Sequence, residues 1–107
     1  MRNEELLIRL TQTQGIAGYE KKVRELIEEE VRPYADELIV DPLGSLIAVK
    51  KGKGGPRSKK IMFAAHMDEI GFMVKKIEED GRLLVCNVGW NWTASAYNTR
   101  VVFRNGI

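Results

Sequence analysis

Lys60-Ile-Met-Phe-Ala-Ala-His-Met-Asp-Glu-Ile-Gly71 joins a short apolar run to a histidine, an aspartate and a glutamate. Residues 60 to 65 have the length and composition of a buried strand bounded by polar neighbours. On a strand, positions i and i+2 face the same side, so His66 and Asp68 project together if the extended geometry continues through Met67. A neutral imidazole is a common metal ligand, and a neighbouring carboxylate can fix its tautomer and raise its basicity. The carboxyl end of a buried strand is also where open α/β sheets bind their ligands. The same spacing fits a strand-end histidine hydrogen-bonded to a turn aspartate, and His-x-Asp alone does not separate the two. Glu69 sits beside the pair, but on a strand it points away from Asp68, which favours a turn or surface role over that of a general base.

Upstream, residues 3 to 12 predict a short helix with Asn3 as N-cap and Leu6, Leu7 and Leu10 on one face. Gln14-Gly-Ile-Ala-Gly18 interrupts it. A stronger amphipathic pattern over 19 to 32 places Val23, Leu26, Ile27 and Val31 inward, with Glu20, Glu25 and Glu28 to Glu30 as its solvated side, and Pro33 ends it. Glu37 to Asp41 and Ser45 to Lys50 read as strands around the turn Pro42-Leu-Gly44. Lys50 to Lys60, rich in lysine and glycine, reads as a solvated hairpin tip, since its order does not match a phosphate-binding loop.

Downstream, Gly71 to Ile77 and Arg82 to Val88 read as strands around Glu78-Glu-Asp-Gly81, and Thr99 to Arg104 as a last strand. Cys86 lies in a strand context that predicts a buried, inert thiol. Two helices followed by closely spaced strands fit an α/β layer giving way to a β-rich part. Val101-Val-Phe-Arg-Asn-Gly-Ile107 reads as a strand entering a turn without its return strand, so the sequence is expected to be the amino-terminal piece of a longer chain.

The 107 residues fit one small domain, and 44% hydrophobic composition suffices for a core. Seventeen basic against fifteen acidic residues give a net charge of +2, too even to argue for nucleic acid as a partner. A single cysteine excludes an internal disulfide. No apolar stretch approaches membrane-spanning length, and the acidic start lacks a signal-peptide core, so the expected compartment is the cytoplasm, with no membrane partner.

Three segments in order, Thr13-Gln-Gly-Ile-Ala-Gly-Tyr-Glu-Lys-Lys-Val-Arg24, Asp41-Pro-Leu-Gly-Ser-Leu-Ile-Ala-Val49 and Ala65-His-Met-Asp-Glu-Ile-Gly-Phe-Met-Val74, resemble the start of the dinuclear-metal aminopeptidases. That family includes glutamyl, deblocking and tetrahedral TET-type aminopeptidases, and some relatives carry an endoglucanase label. The resemblance runs from about Leu6 to Val102, and His66-Met-Asp-Glu-Ile-Gly71 is its most specific piece. It departs at Val88-Gly-Trp-Asn-Trp92, where Trp90 stands in place of the second glycine of a Gly-Gly-Trp segment. Trp90 and Trp92 suit partly buried barrel or interface positions better than sugar-stacking platforms.

The resemblance implies an α/β fold in which residues 1–70 begin a metallopeptidase catalytic layer. Residues 71–107 would begin a small β-barrel insertion domain that mediates dimer contacts, both incomplete here. It implies hydrolysis of amino-terminal residues from peptides by two divalent metal ions, zinc or cobalt, and an activated water. His66 would be a metal ligand and Asp68 the catalytic-site aspartate that orients its ring. The other ligands and the general base would lie beyond residue 107, so the fragment alone is expected to be inactive. It further implies a homo-oligomer in which dimers build a higher assembly such as a dodecamer. A non-catalytic oligomerisation module is the rival of a different class. A glycosidase ranks third, because it needs a pair of facing carboxylates and none is identifiable.

Overall fold

A computed structural model describes residues 3–55, 59–91 and 93–105. Helix α1 (Asn3–Gln12) is followed by α2 (Lys21–Val31), a 3-10 turn (Arg32–Tyr34), then strands β1 (Glu37–Val40), β2 (Leu46–Val49), β3 (Gly71–Ile77) and β4 (Leu83–Val88), and a second 3-10 turn (Thr93–Ala96). Asn3 lies within α1 rather than serving as its N-cap. Arg9 binds α1 to α2, its guanidinium 2.6 Å from Glu30 Oε1 and 3.3 Å from Glu29 Oε2. Two of the glutamates read as solvated surface thus hold the helix pair. Pro33 sits at the start of the 3-10 turn, whose tighter winding carries the chain out of α2.

The strands form two separate antiparallel pairs, β1 with β2 and β3 with β4. Both turns are built by an aspartate. Asp41 Oδ1 accepts the amides of Leu43 (2.9 Å) and Ser45 (2.8 Å), and Gly44 takes φ +95°. Asp80 accepts from the Arg82 amide at 3.1 Å and from its guanidinium at 2.7 Å, and Gly81 takes φ +84°. Between Val74 and Lys76 the β3–β4 register shifts, a bulge that twists the hairpin. Arg24 donates to the Gly44 carbonyl at 3.1 Å and fastens the first hairpin to α2.

Several expectations are corrected. Residues 60–65 form no strand: Ile61, Met62 and Phe63 are exposed, Phe63 at 94%. A ladder needs a neighbour, and among the described residues none pairs with this run. The lysine-rich segment before it is consequently not a hairpin tip, since β2 pairs with β1 alone; Pro56 to Ser58 lie outside the described residues. Thr99 to Phe103 likewise join no ladder. Cys86 is exposed rather than buried. Trp90 is 84% exposed, not partly buried, and Trp92 lies outside the described residues.

The architecture is mixed helix and sheet, and no closed barrel occurs among the described residues. Val23 of α2, at 4% exposure, is the one buried apolar side chain of that set. The radius of gyration is 18.3 Å, against about 13 Å for a compact domain of this size. No described helix is long and apolar enough to cross a membrane.

Candidate functional site

Two segments far apart in sequence meet at Val23. Gly15 is buried, and a Cβ there would fall 2.7 Å from Val23 Cγ1 and 3.5 Å from the Met67 carbonyl oxygen. Only a residue without a side chain lets the loop between α1 and α2 approach both the helix and the chain beyond His66. Gly71 makes a second close approach, against Ile16. Between these contacts runs a parallel bridge, Ile16 with Glu69. The Glu69 amide donates to the Gly15 carbonyl (2.8 Å), and the Ala17 amide donates to the Glu69 carbonyl (3.4 Å).

The glutamate side chain completes the join. Glu69 Oε1 accepts the Gly15 amide at 2.8 Å, so Gly15 and Glu69 bind each other reciprocally. Glu69 thus sits in a bridge and holds the loop at Gly15, rather than a turn of its own. A partner fifty-four positions away has no local signal in the sequence. Gln14 and Gly18 flank this loop, and Gly18 takes φ +86°.

His66 and Asp68 come together as their spacing predicts. His66 Nδ1 lies 3.1 Å from Asp68 Oδ1 and 3.1 Å from the Asp68 carbonyl oxygen. Both partners are acceptors, so a neutral imidazole here carries its proton on Nδ1 and keeps its lone pair on Nε2. The ring is 84% exposed and the aspartate half exposed, and no described residue bonds Nε2. That donor set suits a divalent cation: one unprotonated imidazole nitrogen, facing outward, on a ring held by a carboxylate. Among the described residues, no three histidine, cysteine or acidic side chains converge into a metal cage. A groove of about 670 Å³, lined by Gln14, Tyr19, Arg24, Leu43 and Arg104 among others, does not include His66 or Asp68. Arg104 stacks on the Tyr19 ring there, 4.5 Å from its centroid.

The same segments are found in known proteins. A provisionally named aminopeptidase of Acetivibrio thermocellus is 48% identical over 103 residues, covering 96% of this chain and 30% of its own length. The crystal structure of a TET aminopeptidase from a marine sediment thaumarchaeote superposes with a TM-score of 0.74 at 39% identity, over 83% of this chain and 24% of that one. A Thermotoga maritima structure described as an endoglucanase matches with a TM-score of 0.69 at 43% identity, over 78% of this chain and 26% of that one. The chain therefore spans under a third of the length of these relatives. Residues 44–106 match the family described as M42 glutamyl aminopeptidase, and the chain belongs to that family.

Proposed function

We propose that this chain is the amino-terminal, His66-bearing part of a metal-dependent aminopeptidase that removes amino-terminal residues from peptides. His66 is a metal ligand through Nε2, and Asp68 holds the ring. The observation that supports this reading is the engagement of Nδ1 by Asp68 at 3.1 Å, which in the neutral imidazole leaves the Nε2 lone pair for a metal. The enzyme uses two divalent cations, zinc or cobalt, which supply Lewis acidity and activate a water when bound. Asp68 keeps the proton on Nδ1 and strengthens the donor at Nε2; the remaining ligands and the general base belong to residues this chain does not carry. In this reading residues 1–70 begin the catalytic α/β domain and residues 71–107 a β-barrel insertion domain. The separation of the β1–β2 and β3–β4 sheets supports that division.

The enzyme acts in the cytoplasm as a homo-oligomer, in which dimers build a larger assembly. The apolar residues Met73, Val74, Leu84 and Val85, exposed on β3 and β4, support association through the second hairpin. The 107 residues alone do not turn over peptides, since one imidazole and its carboxylate cannot hold two cations. Glycoside hydrolysis, which needs two facing carboxylates, is disfavoured by the engagement of the Glu69 side chain with Gly15.

His66 is the sole histidine of the sequence, so its ring nitrogens report without interference. Zinc titration of the ¹⁵N-labelled chain should perturb Nε2 and leave Nδ1 protonated, with no metal-dependent cleavage of leucyl or glutamyl anilides. Zinc at Nδ1, or no response at His66, contradicts the ligand assignment. Turnover above a His66→Ala control contradicts the inactivity of the fragment.

A further inference from the structure

The peptide unit between Asp68 and Glu69 is held from both sides. Its carbonyl, on Asp68, accepts from His66 Nδ1 at 3.1 Å. Its amide, on Glu69, donates to the Gly15 carbonyl at 2.8 Å. A peptide unit is planar and trans, and the chain has no cis bond, so the two groups point in opposite directions and turn together. Whatever fixes the Glu69 amide therefore also aims the Asp68 carbonyl at the imidazole.

The Glu69 carboxylate reinforces that amide bond by accepting the Gly15 N–H at 2.8 Å. Gly15 itself lies close against Val23 and the Met67 carbonyl. Residues 60–65, preceding His66, are in no ladder and give it no comparable support. The grip on residue 69 is thus the nearest fixed point of the His66–Asp68 pair. A carboxylate bound to a backbone amide is a stronger contact than a neutral pair, which suits it to the task.

We propose that Glu69 is a positioning residue for His66: its clamp on Gly15 sets the plane of the Asp68–Glu69 peptide, and that plane helps keep the proton on Nδ1 and the lone pair on Nε2. The positioning stands on this chain's own hydrogen bonds; its consequence for catalysis rests on the metal-ligand reading above.

The test uses the full ¹⁵N-labelled chain at a pH where imidazole is neutral, with the ratio of the two His66 tautomers read from its ring nitrogens. Glu69→Ala should raise the ratio of Nε2-protonated to Nδ1-protonated ring about fivefold, the effect of losing one net hydrogen bond on a two-state ratio. The β3–β4 amide signals should stay in place. Glu69→Gln, which keeps a weaker, neutral acceptor for the Gly15 amide, should stay closer to the parent ratio than Glu69→Ala does. An unchanged ratio in Glu69→Ala, with the β3–β4 signals intact, overturns the proposal, as does a Glu69→Gln shift equal to that of Glu69→Ala. Should Glu69→Ala lose the β3–β4 signals, Glu69→Asp decides, being one methylene too short for Gly15: a raised ratio supports the clamp and a parent ratio rejects it. The zinc response of Nε2 is scored separately. A failed ligand assignment leaves the tautomer result standing, and a failed clamp leaves the ligand assignment standing.

Discussion

Gly15 and Gly71 both admit a neighbour that a methyl group would strike, yet the two collisions differ in kind. At Gly15 the added Cβ meets Val23, 2.7 Å from Cγ1 and 3.3 Å from its own Cβ, a stiff branched side chain on a helix. At Gly71 it meets the Cδ1 end of Ile16 at 2.4 Å, which can rotate aside. Gly15→Ala is therefore expected to cost about 1–3 kcal/mol and to weaken protection of the Glu69 amide from hydrogen exchange, while Gly71→Ala costs less. Equal costs, or a Glu69 amide as protected as before, would contradict the packing described for the loop. At this scale the His66–Asp68 pairing is legible from a two-residue spacing. The partner of Glu69 is not, because a contact across fifty-four residues leaves no periodic trace.

Elements stabilised locally follow the pattern of the sequence. The bounds of α1, α2 and both hairpins fall within two residues of those expected, because their periodicities and the Asp41–Gly44 and Asp80–Gly81 turns act over a few positions. Residues 60–65 and 99–104 have strand composition without strand structure, because a ladder depends on partners that local sequence does not supply. The first hairpin carries an electrostatic signature. The Ser45 amide, followed by lesser contacts at the turn, holds the Asp41 carboxyl below its ordinary value. The Lys51 amide, with Lys50 nearby, does the same for Asp36. In both cases the folded chain favours the ionised form, so this support is complete above the unfolded value of about 3.9 and disappears as pH falls through the lower folded values. Amide protection of β1–β2 should be flat from about pH 7 to about pH 5 and decline only below about pH 4. An Asp41→Asn variant should flatten that decline, and loss beginning near neutral pH would contradict the assignment.

The whole molecule is long, 65 × 29 × 24 Å, and buries little. Leu43, Ile61, Met62, Phe63 and Trp90 are all more than three-quarters exposed, a surface that ordinary monomers rarely present in contiguous patches. Composition alone predicts an adequate core; among the described residues only Val23 is a buried apolar side chain. The matched relatives are more than three times as long as this chain. The central claim is that His66 is a metal ligand of an aminopeptidase and Asp68 its orienting partner. It is tested most directly in a chimera in which this chain replaces the matching 30% of the Acetivibrio thermocellus relative. Metal content by mass spectrometry and peptide turnover would be measured with His66, with His66→Ala and with Asp68→Asn. The account predicts that His66→Ala loses metal and activity together. Asp68→Asn should keep more metal than His66→Ala and lose about 10- to 100-fold in rate. Full metal and near-parent turnover in both variants would show the pair to be structural and contradict the account.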